Sequence, residues 1–565
     1  MKKTIYNLLL VITLSLTGLS FRSNYLTAQD LDTFTVTPHY RTHLITREEY
    51  SKKVLFPIKD KYISNITLDL HLNCPEKKCS DWDYSINIVL RTNKDGKKQD
   101  YQLGRMITPY SGWYNQGENT KTWDYIWSWN ITEYLPLMQD SVEIVLQYEG
   151  YQDGFLATTN FIFTQDKELS YKDMPFIGVE NVYYGYYPYG RMDSTIDMFL
   201  NPKKIILPKH TNKVLARMTV SGHGGDSLNA AAEFLKKHFI YTANGQVVTN
   251  QSVWKDDCGC NTIQPQGGTW IYNRSGWCPG TKVNEYYYDL TPFVKKGELN
   301  LRMLFEYYNG HNSGEAGYQI ANDIFFISDE NYKHEQIKDK NKRINKKHYL
   351  PKDFVLSMKT NNDARNKYSL SKIRFITYPN GITDTLKLQK LYERSQVENN
   401  TIYYQPVHLE NDKDYLITIE DYDCDGLSWW ASPMQGDGYF IFYGEDSSYI
   451  YDVIDPDFGC KNEYYLKTTA DTNNYSLQTQ VFILQDLKSK TIQVIALPKT
   501  KPVSDTNLVV TVTNRKTKEI MLNKTYNNKK QYKEIISFKD YAPGYYLVEA
   551  VCGEVKQRKI LIVKD

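Results

Sequence analysis

Apolar and polar residues alternate one by one along many short stretches of this chain, and a period of two leaves few folds open. Ile66-Thr67-Leu68-Asp69-Leu70-His71-Leu72 and Val142-Glu143-Ile144-Val145-Leu146 put every second side chain on one face, as strands with one buried side do. Val214-Leu215-Ala216-Arg217-Met218-Thr219-Val220 and Leu299-Asn300-Leu301-Arg302-Met303-Leu304-Phe305 repeat the manner. The 48 Tyr, 21 Phe and 10 Trp point the same way, because aromatic rings suit a half-buried pleated surface. The chain is therefore expected to be all-β.

A length of 565 residues exceeds one core and suggests three or four domains at about 150 residues each. Lys2 and Lys3 precede an apolar run from Leu8 to Leu19, and Leu26-Thr27-Ala28 offers a small-residue cleavage site, so residues 1–28 read as a signal peptide. No later stretch approaches the roughly 20 apolar residues of a membrane span. The mature chain is expected to be secreted or on the cell surface, exported through the periplasm and without a span. Its net charge of +2 gives no electrostatic case for nucleic acid as a partner.

Strand patterns divide the rest into sandwiches at 29–168 and 169–330, a charged linker at 331–352 rich in Lys, Asn and Glu, an aromatic-rich β domain at 353–490 and a small β domain at 491–565. Trp129-Asn130-Ile131-Thr132-Glu133-Tyr134 leads into Val142 to Tyr148 much as Tyr288-Asp289-Leu290-Thr291-Pro292-Phe293 leads into Leu299 to Phe305, which suggests a duplication. Two adjacent sandwiches make a groove, a favoured place for a ligand. The ending Lys559-Ile560-Leu561-Ile562-Val563-Lys564 resembles the C-terminal sorting domain of Bacteroidetes proteins and implies type IX secretion machinery as a partner.

Eight cysteines in an exported chain read as disulfide partners rather than metal ligands, since zinc favours Cys-x-x-Cys pairs or nearby His. Cys74, Cys79, Cys260 and Cys278 are assigned to disulfides, and the pairing of Cys258, Cys424, Cys460 and Cys552 stays open. After the short Cys74–Cys79 loop come Asp81, Trp82 and Asp83. Carboxylates beside an aromatic ring suit carbohydrate chemistry, the ring packing on the sugar face while the acid moves a proton. The plainer reading is that both acids cap turns. Ser221-Gly222-His223-Gly224-Gly225-Asp226 is a glycine-rich bend followed by Ala231-Ala232-Glu233-Phe234, where Glu233 is either salt-bridged for structure or tuned in pKa. Asn273-Arg274-Ser275-Gly276-Trp277-Cys278-Pro279-Gly280 is either a pinned surface loop or a site where Arg274 neutralises a carboxylate or binds a sugar hydroxyl. Asp421-Tyr422-Asp423-Cys424-Asp425-Gly426 mimics the start of a calcium loop, but Ser432 stands where an EF-hand takes Glu, so it reads as a solvated acidic turn, with a calcium site as the alternative. Trp429 and Trp430 beside it touch sugar or fill a core.

Taken in order, these clusters resemble the bacterial peptide-N-glycosidase F family. The resemblance spans roughly residues 31–328 and rests on Cys-Pro-x-Lys-x-Cys-x-x-Trp-Asp at 74–83, Gly-Arg-x-Ile-Thr-Pro-Tyr at 104–110, Ser-Gly-x-Gly at 221–224 and Arg-x-Gly-Trp-Cys-Pro-Gly at 274–280. It implies two tandem eight-stranded jelly-roll-like β-sandwiches, here followed by two smaller β-sandwich domains. It also implies hydrolysis of the amide between asparagine and the first N-acetylglucosamine of N-linked glycans, with an N-glycoprotein or glycopeptide as substrate and with no metal or cofactor. The family's catalytic aspartate falls on Asp83 and its two assisting glutamates on Glu233 and Glu149; Trp82, Tyr84, His223, Arg274 and Trp277 fall on substrate-binding positions. Departures accompany the match. Cysteines that bracket the family's second glutamate are Ala231 and Leu235 here, the arginine after the catalytic aspartate is Tyr84, and the aromatic of the glycine-rich bend is His223. They motivate an alternative, a glycan-binding protein without catalysis. A copper monooxygenase on a similar sandwich pair would need clustered His or Met, and the ten histidines include no adjacent or His-x-His pair.

Overall fold

The structure is a computed structural model. It describes residues 31–564 except 76–78, 95, 112–123, 265, 313–314, 338–346, 363–372, 376–391, 395–397, 422–423, 429–432, 447–448, 472–478, 499–506 and 528. The expected signal peptide, Trp429, Trp430, Ser432 and part of the charged linker lie outside the described residues.

The first sandwich is built from β1 (Leu31–His43), β2 (Glu49–Val54), β3 (Tyr62–Asn73), β4 (Ser85–Lys94), β5 (Lys97–Ile107), β6 (Asp124–Asn130), β7 (Val142–Tyr148) and β8 (Leu156–Asp166). Its two four-stranded sheets run β1-β8-β3-β6 and β2-β7-β4-β5, with every described pairing antiparallel. Alternation does what the sequence implies. Leu68, Leu70 and Leu72 of β3 face Ile86, Ile88 and Leu90 of β4 in one fully buried core.

The second sandwich uses β9 (Phe176–Pro188), β10 (Lys203–Ile206), β11 (Lys213–His223), β12 (Lys237–Ala243), β13 (Gln246–Val253), β14 (Glu285–Asp289), β15 (Glu298–Phe305) and β16 (Gly317–Ile327). Its sheets run β14-β11-β16-β9 and β10-β15-β12-β13. Renumbered from its own first strand, this is the strand order of the first sandwich, the jelly-roll order, so the two share a topology. The matching segments noted in the sequence sit at equivalent corners: a 3₁₀ turn at Thr132–Met138 precedes β7 and one at Thr291–Phe293 precedes β15.

Strands at the contact between the sandwiches depart from the one-face reading. β11 and β16 are buried on both faces, because the outer side of their sheet docks against the first sandwich, where Leu215 of β11 and Phe325 and Ile327 of β16 join the first core. Arg217, an apparently outward position, is 3% exposed. Its guanidinium donates to the Leu103 carbonyl at 2.9 Å, to the Tyr134 hydroxyl at 2.6 Å, and to Glu285 and the Gln102 carbonyl. A buried cation tolerates such a place only when donors and charge are matched in this way.

Two smaller sandwiches follow. The third unit pairs a sheet of 347–350, 461–468 and 414–420 with one of 402–408, 353–359, 439–443 and 450–454. The fourth pairs 480–486, 491–497 and 532–537 with 520–526, 508–514, 544–552 and 555–563. Residues 480–486 thus hydrogen-bond into the C-terminal sandwich. Tyr439, Ile441, Leu484 and Ile495 form a shared cluster that joins the two units. Asp421 of the acidic turn is not solvated: it is 5% exposed, and its carboxylate accepts the backbone N–H of Asp425 and Gly426, while Tyr422 and Asp423 lie outside the described residues.

The disulfide assignments hold for Cys74 with Cys79, while Cys278 is bonded to Cys258 and not to Cys260. Cys260 instead meets Cys424 and Cys460 of the third unit. Spacing along the loop could not separate these partners, because only Gly259 stands between Cys258 and Cys260 and the chain's direction decides which sulfur faces Cys278.

Candidate active site

Jelly-roll pairing brings the acids to one edge. In the antiparallel β4–β7 register Ile86 lies opposite Tyr148, so the residue pair flanking it, Asp83 before β4 and Glu149 after β7, emerges at the same end of the sheet. Glu149 is tied there by its N–H to the Ser85 carbonyl at 3.0 Å. Docking of the second sandwich places the end of β11 and the short helix α1 (Ala231–Phe234) across from them. The result is a cavity of about 450 Å³ lined by Asp83, Glu149, Glu233, Trp82, Tyr84, His223 and Trp277, with Arg47, Tyr151, Tyr186 and Gln319 completing its wall.

Gly222 is what lets α1 close on β11. A Cβ there would fall 1.7 Å from the Ala232 carbonyl oxygen. With Ala231 and Ala232 fully buried and the Ala231 N–H donating to Asp226 at 2.6 Å, packing and one carboxylate hold the segment where the family resemblance has cysteines. Gly222→Ala is expected to push α1 outward, costing about 1–3 kcal/mol of stability by overpacking and at least tenfold in any activity that needs Glu233. Thermal unfolding and turnover measured on the same sample check both.

Arg274 does not line the cavity. It is fully buried behind the acids, its Nε donating to Glu233 Oε1 at 3.2 Å and an Nη lying 3.9 Å from Asp83 Oδ2. The Thr269 and Tyr272 carbonyls take its other nitrogen at 2.9 and 2.7 Å, and its plane packs on Trp277 and Phe234. Glu233 also accepts the Gly224 N–H at 3.1 Å. Asp83 receives a hydrogen bond from the Tyr110 hydroxyl. Nevertheless burial dominates: it pushes Asp83 up to about 7, with Arg274 opposing and the Glu233 charge adding. Glu233 is raised as well, by burial, against Arg274. An acid titrating near neutrality can both take and give a proton.

His223 stacks on Trp277 at 5.2 Å and bonds Ser221 Oγ through Nε2 at 2.7 Å. Burial, then Arg105 and Arg274, push its pKa down to about 3, so it is neutral near neutral pH. Arg105, inside the Gly-Arg-x-Ile-Thr-Pro-Tyr stretch, joins the sandwiches beneath the site, donating to Ser221 Oγ and the Gln319 carbonyl at 2.9 Å each and to Asn87 at 2.8 Å. Tyr84 is buried and meets Tyr148 and Tyr151 edge-on at 5.7 and 5.1 Å, which props Tyr151, half exposed, at the rim. Trp82 and Tyr186 stand at the rim too, 40% and 47% exposed. Three exposed rings round a carboxylate-lined hollow suit a ligand with apolar faces and many hydroxyls.

Comparison with known proteins bears on the same region. A family profile described as peptide-N-glycosidase F, C terminal, matches residues 191–322. Peptide-N(4)-(N-acetyl-beta-D-glucosaminyl)asparagine amidase F of Elizabethkingia miricola is 26% identical over 278 residues, 47% of this chain and 75% of that protein. Among solved structures, that of PNGase F, a glycosylasparaginase from Flavobacterium meningosepticum, covers 53% of this chain and 96% of its own at a TM-score of 0.45 and 21% identity. PNGF-II covers 52% of this chain and 65% of its own at a TM-score of 0.41 and 16% identity.

Proposed function

Because the chain belongs to the peptide-N-glycosidase F family, whose C-terminal domain occupies residues 191–322, we propose that it hydrolyses the amide between asparagine and the first N-acetylglucosamine of N-linked glycans, leaving aspartate. The observation that carries this reading is the buried set of Asp83, Glu233 and Arg274 at the floor of the cavity between the sandwiches. Asp83 acts at the scissile linkage, taking a proton from the attacking water and returning it to the leaving amine. Glu233 and Glu149 order water and hold the first sugar from opposite walls. Arg274 keeps the two inner carboxyls from repelling each other into protonation. Trp82, Tyr151 and Tyr186 offer ring faces to the sugar and peptide.

None of these steps asks for more than positioned carboxyls in a partly dry cavity. Export fits the disulfides, which persist in oxidising compartments.

The test is the pH profile of glycan release from a short glycopeptide. With Asp83 as base and its carboxyl titrating near 7, kcat/KM is expected to rise about tenfold for each pH unit below that point and to level off above it. A profile flat from the acid range to neutrality would remove Asp83 from the role of base.

A further inference from the structure

Among the described residues that line the cavity, Arg47 is the one Lys or Arg side chain, set in a wall that holds Asp83, Glu149 and Glu233. It belongs to the turn between β1 and β2, which is fastened to the β7–β8 loop carrying Glu149 and Tyr151. The Arg47 N–H donates to the Gly150 carbonyl at 2.6 Å, the Gly154 N–H to the Leu44 carbonyl at 2.9 Å and the Leu44 N–H to the Phe155 carbonyl at 2.9 Å. Backbone thus fixes the root of the side chain, which is exposed at the mouth. Among the described residues the guanidinium itself makes no hydrogen bond or ion pair.

Two features set this arginine apart from an ordinary surface cation. Its φ of 38° lies in the left-handed region, which glycine enters freely and a residue with a Cβ does not. The charge of the cavity does not call for it either. Arg274 serves Asp83 and Glu233 from behind, and Glu149 lines the same wall without pairing with Arg47.

A guanidinium is planar, always charged and shaped to grip a carboxylate through two parallel hydrogen bonds. In an N-glycopeptide the first N-acetylglucosamine and the asparagine amide are both neutral. A cavity of about 450 Å³ takes a ligand of small-molecule size, so it holds the linkage itself and leaves the outer sugars of a glycan outside. The carboxylate that reaches the mouth therefore comes from the peptide.

We propose that Arg47 selects among glycopeptides by pairing with an acidic side chain beside the glycosylated asparagine. This rests on the amidase reading and deepens it: the sugar fills the floor, and the charge of the peptide sets which asparagine is favoured. The pair forms at the rim, in contact with water, so the preference it gives is modest and sensitive to salt. It acts on binding and leaves the proton transfer at Asp83 untouched.

The experiment compares three synthetic glycopeptides with one glycan, carrying Asp just before the glycosylated asparagine, Asp just after it, or Asn at both places. Affinity is measured by fluorescence anisotropy on the Asp83→Asn full chain, and kcat and KM on the otherwise unaltered chain. One acidic peptide is expected to bind about two- to fivefold more tightly than the neutral one, the worth of an exposed ion pair, with KM lowered to match and kcat unchanged. That advantage should vanish at about 1 M salt, where screening shortens to about 3 Å, and in Arg47→Gln, and survive in part in Arg47→Lys. Arg47→Gly, which suits the turn's φ, should lose the preference with the melting temperature retained. Equal affinity for all three peptides overturns the proposal, as does an Arg47→Gln chain that weakens all three alike, the mark of a sugar contact. Tighter binding of an acidic peptide without glycan release keeps the role of Arg47 and removes the amidase. Release with no preference does the reverse, and no binding of any peptide overturns both.

Discussion

Asp83→Asn is expected to cut glycan release from a denatured N-glycoprotein by about 10²–10⁴-fold, the usual worth of a positioned acid–base group, with the melting transition retained. Asparagine keeps the shape and accepts the Tyr110 hydroxyl, but it cannot exchange a proton. A second readout separates this from mere damage to the fold. In the wild type, Asp83 holds its proton more tightly folded than unfolded, since its carboxyl is raised from 3.8 to about 7. The stability this contributes is fully present below pH 3.8 and is lost as pH rises through about 7. The asparagine variant lacks that loss, so its stability should fall less between those limits. Thermal unfolding across that range measures it. Undiminished release would sink the assignment.

Arg274→Met should be the more damaging change to the fold. Removing one partner of a buried charge set costs about 3–5 kcal/mol. Arg274 is fully buried and seats Glu233, two carbonyls and Thr269 Oγ1 at 2.8 Å. Its guanidinium also opposes the rise in the Asp83 and Glu233 pKa values, so without it both carboxyls should titrate higher and any remaining activity should shift to higher pH. Arg274→Lys restores charge without the planar fork and should recover stability only in part. Chemical denaturation of the three proteins orders them. Equal stability for Arg274→Met and the wild type would mean that the inner carboxyls are neutral without help.

The sandwiches were legible because alternation survives wherever a sheet has one wet face. Leu68, Leu70 and Leu72 point inward as the pattern requires. Arg217 defeats the pattern because its face is covered by another domain, and no local period reports a partner so distant in sequence. Asp83 and Glu233 could be singled out from local clusters and Glu149 from the family resemblance, and all three do share a cavity with Trp82, His223 and Trp277. Arg274 reads as a carboxylate neutraliser from its residue type and falls on a substrate-binding position by resemblance; it pairs with the acids from behind, buried, and does not line the cavity. Arg47, Tyr186 and Gln319 carry no motif; docking of the two sandwiches puts them on the wall. Asp421 reads as a wet turn from composition, and its burial follows from the contact of its loop with Pro456 and Phe458.

The central claim concerns which bond is cut, and mass spectrometry of the peptide product answers it most directly. After incubation of an N-glycopeptide with the purified full chain, the account predicts an intact glycan carrying its first N-acetylglucosamine and a peptide in which the glycosylated asparagine has become aspartate. A peptide that keeps one N-acetylglucosamine on asparagine, or a glycopeptide bound by the folded chain and recovered whole, would contradict it.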